Sequence, residues 1–228
     1  MLLAMGDQLP LDLLAAWNEL AARVGIDDPG DGDGRELLLR WQEPHRGYHN
    51  EHHLVAVLAH LDVLEDEADD IDAVRLAAWF HDAVYEPGAT DNEEASAALA
   101  TAVLTEGGVD NARAHEVARL IRLTAHHEAD EGDRNGRTLC DADLAVLGSD
   151  ATEYARYAAG IREEYAHIDN DTFRAGRIGV LDRLLQKRPL YATNRYRDDR
   201  EDAARRNMEM EHALLTSGAA DSVAVPPP

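Results

Sequence analysis

The stretch Ala77-Ala78-Trp79-Phe80-His81-Asp82-Ala83-Val84-Tyr85 decides how this chain is read. It is an apolar run broken once, by an adjacent histidine and aspartate. Two neighbouring polar side chains in a segment built for burial are costly unless something satisfies them. A divalent cation satisfies both, because imidazole nitrogen and carboxylate oxygen are good ligands for it. The local alternative is a buried histidine bonded to its neighbouring turn, with the aspartate as a cap. On a helix the two side chains diverge by about 100°, so one ion meets both only from a point between their directions. Taken alone the dipeptide favours the local arrangement, and the rest of the chain has to decide.

Upstream, Tyr48-His49-Asn50-Glu51-His52-His53 opens a helix that runs to about Glu67 on Leu54, Val57, Leu58, Leu61 and Leu64. His49 and His53 are four apart and share a face, with His60 on nearly the same side. Asp69-Asp70-Ile71-Asp72 makes an acidic start for the helix carrying His81 and Asp82, and Pro87-Gly88 ends it near Tyr85. Nearer the N-terminus, residues 10–24 and 35–42 read as helices by apolar spacing. Between them, residues 25–34 form a glycine- and aspartate-rich loop. Its Asp-x-Asp-Gly spacing is that of a calcium loop, but the closing position counted from Asp31 holds Gln42 instead of a glutamate, so a solvated turn is expected.

Downstream, helices are expected from Asp91 through Leu104 and over residues 111–127, the latter ending in His126-His127. A polar loop follows to Arg137. The apolar stretch Leu139–Leu147 then carries Asp141 and Asp143. A long helix starts at Asp150, another covers about Arg174–Leu185, and the last runs from Glu201 to Leu215. There is no internal repeat and no convincing strand. The expected fold is all-α, with about eight helices. Residues 1–34 form a helix and loop packing on the core, 35–150 a metal-binding core, and 151–215 the C-terminal helices of the same domain. Residues 216–228, small and ending in three prolines, read as a disordered tail.

Bulk composition narrows the chemistry. The formal net charge is −23, from 45 acidic and 22 basic residues among 228. Such a surface repels polyanions, which disfavours a nucleic-acid duplex or an anionic membrane as partner. A small phosphorylated ligand is still compatible, because a bound cation and a few arginines reverse the local field. Lys187 is the only lysine, so nearly all cationic contacts are guanidinium ones, suited to phosphate. Cys140 stands alone, which excludes an intrachain disulfide or a thiolate cluster and suits a reducing cytoplasm. The N-terminus lacks a basic region followed by an apolar core, so no signal peptide is read there. No stretch approaches the ~20 apolar residues of a membrane span. A homodimer is left open.

His53, His81 with Asp82, and Asp143 stand out as polar intrusions into apolar helical segments. Two imidazoles and two carboxylates make a donor set for Mn, Fe, Co, Ni, Zn or Mg, and bundle-core metal sites draw their ligands from neighbouring helices in this way. The order His53…His81-Asp82…Asp143 resembles the HD-domain superfamily of metal-dependent phosphohydrolases. So do Tyr48-His49-Asn50-x-x-His53, Asp91-Asn92-Glu93-x-x-Ser96-Ala97, Asp141-Ala142-Asp143-Leu144, Arg162-x-Glu164-Tyr165 and Glu201-x-x-Ala204-Arg205-x-Asn207. Together these look like one bacterial branch of predicted phosphohydrolases. The resemblance covers roughly residues 35 to 212.

That resemblance implies an HD helical bundle with a C-terminal helical extension, and His53, His81, Asp82 and Asp143 as ligands of a divalent ion. It implies Asp141 in support, and His49 as a general acid by likeness to the cyclic-nucleotide phosphodiesterase branch. The implied reaction is metal-assisted hydrolysis of a small phosphate ester, foremost a nucleotide: water attacks phosphorus, Asp82 accepts its proton and His49 protonates the leaving oxygen. His127, in a Thr124-x-x-His127 segment, is a candidate to line the substrate site or bind a second ion. Asn92 and Glu93 are either a helix cap or ligand-orienting groups. Arg46 and Arg122 are candidate phosphate clamps, with Arg177 behind them. The Glu-Asp pair that follows the His-Asp in guanosine-tetraphosphate hydrolases is replaced by Tyr85-Glu86-Pro87. The alternatives are a catalytically idle HD module that senses a nucleotide, and a helical interaction protein with a structural ion.

Overall fold

A computed structural model describes residues 12–26 and 32–217. Eleven α-helices and two 3-10 turns, Glu65–Glu67 and Leu144–Gly148, are joined by short turns and loops, with no strand among the described residues. The helices are α1 (Leu13–Val24), α2 (Gly32–Trp41), α3 (Glu51–Val63), α4 (Ile71–Phe80), α5 (Asn92–Glu106) and α6 (Asn111–Leu123). They continue as α7 (Arg134–Asp143), α8 (Ala151–Glu164), α9 (Asn170–Gln186), α10 (Asn194–Asp199) and α11 (Glu201–Ser217). The all-α expectation is met, with more and shorter helices than the eight foreseen. α10 was not foreseen, and α7 starts inside the segment expected to be a polar loop. Residues 27–31 of the expected loop and 218–228 of the expected tail lie outside the described residues, while Thr216 and Ser217 are helical.

Much of the acidic surplus is spent on starting helices. The side chains of Asp12, Asp70, Asp110, Asp133, Asp150 and Asp169 each accept a backbone N–H in the first turn of α1, α4, α6, α7, α8 and α9. Each such cap contributes about 0.5–2 kcal/mol over alanine and meets the positive end of the helix dipole. Short helices joined by tight turns become affordable in a chain rich in aspartate.

α4 is the central element. It packs against α1, α3, α5, α6 and α7, and Ala73, Val74 and Leu76 through Phe80 are buried. Trp79 meets the edge of Trp17 from α1 at 5.3 Å between ring centroids, and Trp41 of α2 donates its indole N–H to the Trp79 carbonyl at 3.0 Å. Burying side chains of this size is worth about 1.5–3 kcal/mol each.

The helix does not run on to Tyr85. It ends at Phe80 with His81 as its C-cap, because side chains of α5 take over the backbone that follows. The Ser96 hydroxyl accepts from Val84 N–H and donates to Val84 C=O. The Asn92 amide bonds both backbone groups of Glu86 in the same manner. His81 and Asp82 therefore project from a pinned helix end.

Candidate metal centre

Three elements deliver the cluster. His53 comes from the first turn of α3, His81 from the end of α4, and Asp143 from the end of α7. His53 Nε2 lies 3.2 Å from His81 Nε2 and 3.0 Å from Asp143 Oδ1, while His81 Nε2 is 3.5 Å from that same oxygen. Asp82 Oδ2 stands 3.1 Å from His81 Nε2 and 3.9 Å from His53 Nε2. Both histidines are buried, and Asp82 and Asp143 are nearly so.

Proton counting shows what this group lacks. His81 Nδ1 is 2.8 Å from the Ala78 carbonyl, so it carries the proton. In a neutral ring Nε2 then presents a lone pair, toward another imidazole nitrogen and two carboxylate oxygens. Even with a proton on His53 Nε2, one donor faces His81 Nε2 and two carboxylate oxygens, so acceptors are in excess and a positive centre would satisfy them. With no ion, a proton fills that place: burial disfavours charge on His81, but the Asp82 and Asp143 carboxylates raise its pKa well above the ordinary histidine range. Burial keeps His53 below that range, which suits two rings sharing one charge. Burial also works against both carboxylates, yet His81 holds Asp82 and Asp143 below the usual carboxylate range, helped by His49 and by His127 respectively.

The spacing also fits a metal. Donors at about 2.1 Å from one ion stand roughly 3.0 Å apart in octahedral and 3.4 Å apart in tetrahedral geometry. The observed edges of 3.0, 3.2 and 3.5 Å bracket those values. His53, His81 and Asp143 can hold a metal ion as they stand, with Asp82 beside them on the His81 side.

His49 is close to this group but not in it. Its ring centroid is 5.7 Å from that of His53, and its Nδ1 is 2.8 Å from Glu164 Oε2. Glu164, a fully buried carboxylate at the end of α8, also accepts the backbone N–H groups of Tyr48 and His49 and the Tyr85 hydroxyl. Burial opposes charge on His49, but Asp82 and Glu164 raise its pKa above 6.5. Two glycines make this reach possible: a Cβ on Gly47 would sit 2.5 Å from the Gly160 carbonyl, and one on Gly160 would sit 2.8 Å from that of Gly47. Glu164 is the functional residue that sequence reasoning missed. Its motif was noted, but nothing in the chain says which of 45 acids meets His49.

His127 also reaches the centre, with Nε2 2.8 Å from Asp143 Oδ2. It follows the end of α6 at φ 51°, the only described residue other than glycine with positive φ. For a side-chain-bearing residue that conformation costs about 1–2 kcal/mol.

The other candidates are corrected. Arg46 is no phosphate clamp: its buried guanidinium donates to Glu43, to the His49 carbonyl and to the Asp82 carbonyl, which makes it a brace beneath the site. Arg122 forms an exposed bidentate pair with Glu94, and Arg177 a buried one with Glu211. Asp141 accepts from Ala192 N–H, Thr193 N–H and the Thr193 hydroxyl, tying the segment before α10 to α7. Asn92 pins the loop after Asp82, and no hydrogen bond or ion pair joins Glu93 to the cluster. Sequence shows that an arginine or acid has a partner to find, and not which one.

A cleft of about 320 Å³ opens beside the cluster, lined by His53 and Asp143 and by Tyr48, Glu153, Arg156 and Tyr157 among others. His49 and Asp82 do not line it. No helix among the described residues is long and apolar enough to cross a membrane. Comparison with protein-family models, curated proteins and solved structures found no match for this chain.

Proposed function

We propose that this protein is a metal-dependent phosphohydrolase acting on a small phosphate ester such as a nucleotide. The observation that carries the reading is the acceptor-rich cluster of His53, His81 and Asp143, with Asp82 at its edge and a buttressed histidine next to it. The HD-like order of those residues points the same way. A divalent cation held there would supply the positive charge that polarises a phosphoryl oxygen and acidifies water.

The chain's own residues supply the rest. Asp82, kept ionised beside His81, accepts the proton of the attacking water. His49 is held by Glu164 through Nδ1, leaving Nε2 to donate a proton to the leaving oxygen. The cleft takes the organic part of the ester, with Tyr48 and Tyr157 as flat walls. Because His49 and Asp82 do not line that cleft, a phosphorus carrying two substituents uses both sides of the centre better than a monoester does.

The test is phosphate or nitrophenol release by metal-stripped protein with Mn, Co, Ni, Mg or Zn restored. Substrates would be nucleoside mono-, di- and triphosphates, p-nitrophenyl phosphate and bis(p-nitrophenyl) phosphate. The expected result is metal-dependent turnover that His49→Ala removes while metal content is kept. Full turnover by Asp82→Ala would sink the mechanism. Metal binding without turnover of any ester would favour a nucleotide-sensing module.

A further inference from the structure

His127 holds an expensive backbone conformation at a place where glycine is the usual residue. The position just past a helix end commonly adopts the left-handed conformation, and glycine does so at no steric cost. Here a histidine occupies it, and its ring lies on the outer oxygen of Asp143, 2.8 Å away, while the other oxygen of that carboxylate faces His53 and His81. The turn is also gripped from outside. Lys187, at the end of α9, donates its ammonium group to the carbonyls of His126 and His127 at 2.7 and 2.9 Å. The Lys187 carbonyl in turn accepts from Arg205 of α11 at 2.6 Å. A continuous set of bonds thus runs from α11 through Lys187 and the strained turn to the carboxylate of the cluster.

We infer that His127 is an outer partner fixing the orientation of Asp143, and that Lys187 is its positioning residue, so that a side chain remote from the cluster sets its affinity for a divalent cation. Hydrogen-bond partners of metal ligands commonly change affinity by ten- to a hundredfold. The inference needs only that the cluster binds a cation; it stands or falls apart from any hydrolytic activity.

The sign of the effect separates positioning from charge. If Lys187 acted through its charge alone, removing it would tighten cation binding. If it positions His127, removing it loosens binding.

The experiment is equilibrium dialysis of Mn²⁺, and separately Zn²⁺, against the metal-stripped full chain and its variants. His127→Ala and Lys187→Met are each expected to raise Kd about tenfold, and the double variant no further than His127→Ala alone, because both remove one pathway. Lys187→Arg, which keeps a cationic donor, should recover most of the loss. His127→Gly should lower affinity while Tm stays level or rises, since glycine relieves the turn. A Kd within twofold of wild type for Lys187→Met would overturn the inference. So would tighter binding, losses that multiply in the double variant, or no cation binding by the wild-type chain.

Discussion

Two buried polar groups of this molecule are packed to similar distances and behave oppositely. Beneath α8, Arg177 pairs with both oxygens of Glu211 at 2.8 and 2.9 Å, and its remaining nitrogen meets the Tyr157 hydroxyl at 3.0 Å. The Tyr154 hydroxyl donates to the same glutamate. Donors and acceptors there match, and the charges cancel. Around His53 the imidazole nitrogens and carboxylate oxygens crowd to the same distances, but acceptors outnumber donors. The first group is complete as folded; the second closes only by taking up a proton or a cation. A buried cluster points to function when its bookkeeping of protons fails to close, and the mere presence of charge does not suffice.

Breaking the closed group should cost most. Arg177→Ala leaves the Glu211 carboxylate buried without its partner, and loss of one member of such a pair costs about 3–5 kcal/mol. Denaturant melts should show that loss in full, with the metal response of the remaining folded protein unchanged.

Filling the open group should give the next largest effect, with the opposite sign. A cation at a thousandfold excess over its Kd stabilises by about 4 kcal/mol, or about 10 °C in Tm for a domain of this size. Asp143→Ala should erase that shift. A shift that survives the substitution would place the cation elsewhere.

A third effect lies outside both groups and depends on pH. Burial, aided by Arg200, lowers His60 to about 4, and its Nδ1 lies 2.6 Å from the Tyr196 hydroxyl. The folded state keeps this ring neutral while the unfolded chain protonates it near 6.5. Stability is therefore full above pH 6.5 and falls as the pH drops toward 4, by at most about 3 kcal/mol from this residue. His60→Gln should flatten that acid limb. An unchanged limb would mean that other groups govern it.

The smallest effect on energy concerns the proposed catalysis. Glu164→Gln keeps an acceptor for Tyr48 and His49 but removes the negative charge facing His49. The kcat should drop ten- to a hundredfold, about 1.4–2.7 kcal/mol in barrier, and the alkaline limb of the pH profile should move down as His49 loses its proton more readily. Metal content should stay at the wild-type level. A pH profile identical to wild type would leave Glu164 a purely structural anchor.

The contrast also shows what sequence can carry. His53, His81, Asp82 and Asp143 were legible because a polar side chain inside an apolar helical run needs a reason, and four such intrusions from three segments share one. Helices announced by capping aspartates and apolar spacing were legible too. What failed were pairings. The end of α4 at Phe80 depends on Ser96 and Asn92, which sit on another helix. Arg46 and Arg122 were candidate clamps in a chain where any of many acids could pair with them, and Glu43 and Glu94 did. Glu164 was one acid in a chain crowded with them. α10 is too short for its periodicity to show, and it is held by Asp141 from α7.

The glycine contact between residues 47 and 160 carries a consequence in time. All three residues of the candidate metal-holding group are made once the ribosome has passed position 143, but Glu164, which anchors His49 from 115 residues further along, comes only after that. At about 5–20 residues per second, the two are separated by roughly one to four seconds of synthesis. The candidate metal ligands thus precede the anchor of His49 in synthesis, and the contact between Gly47 and Gly160 can form only after both exist.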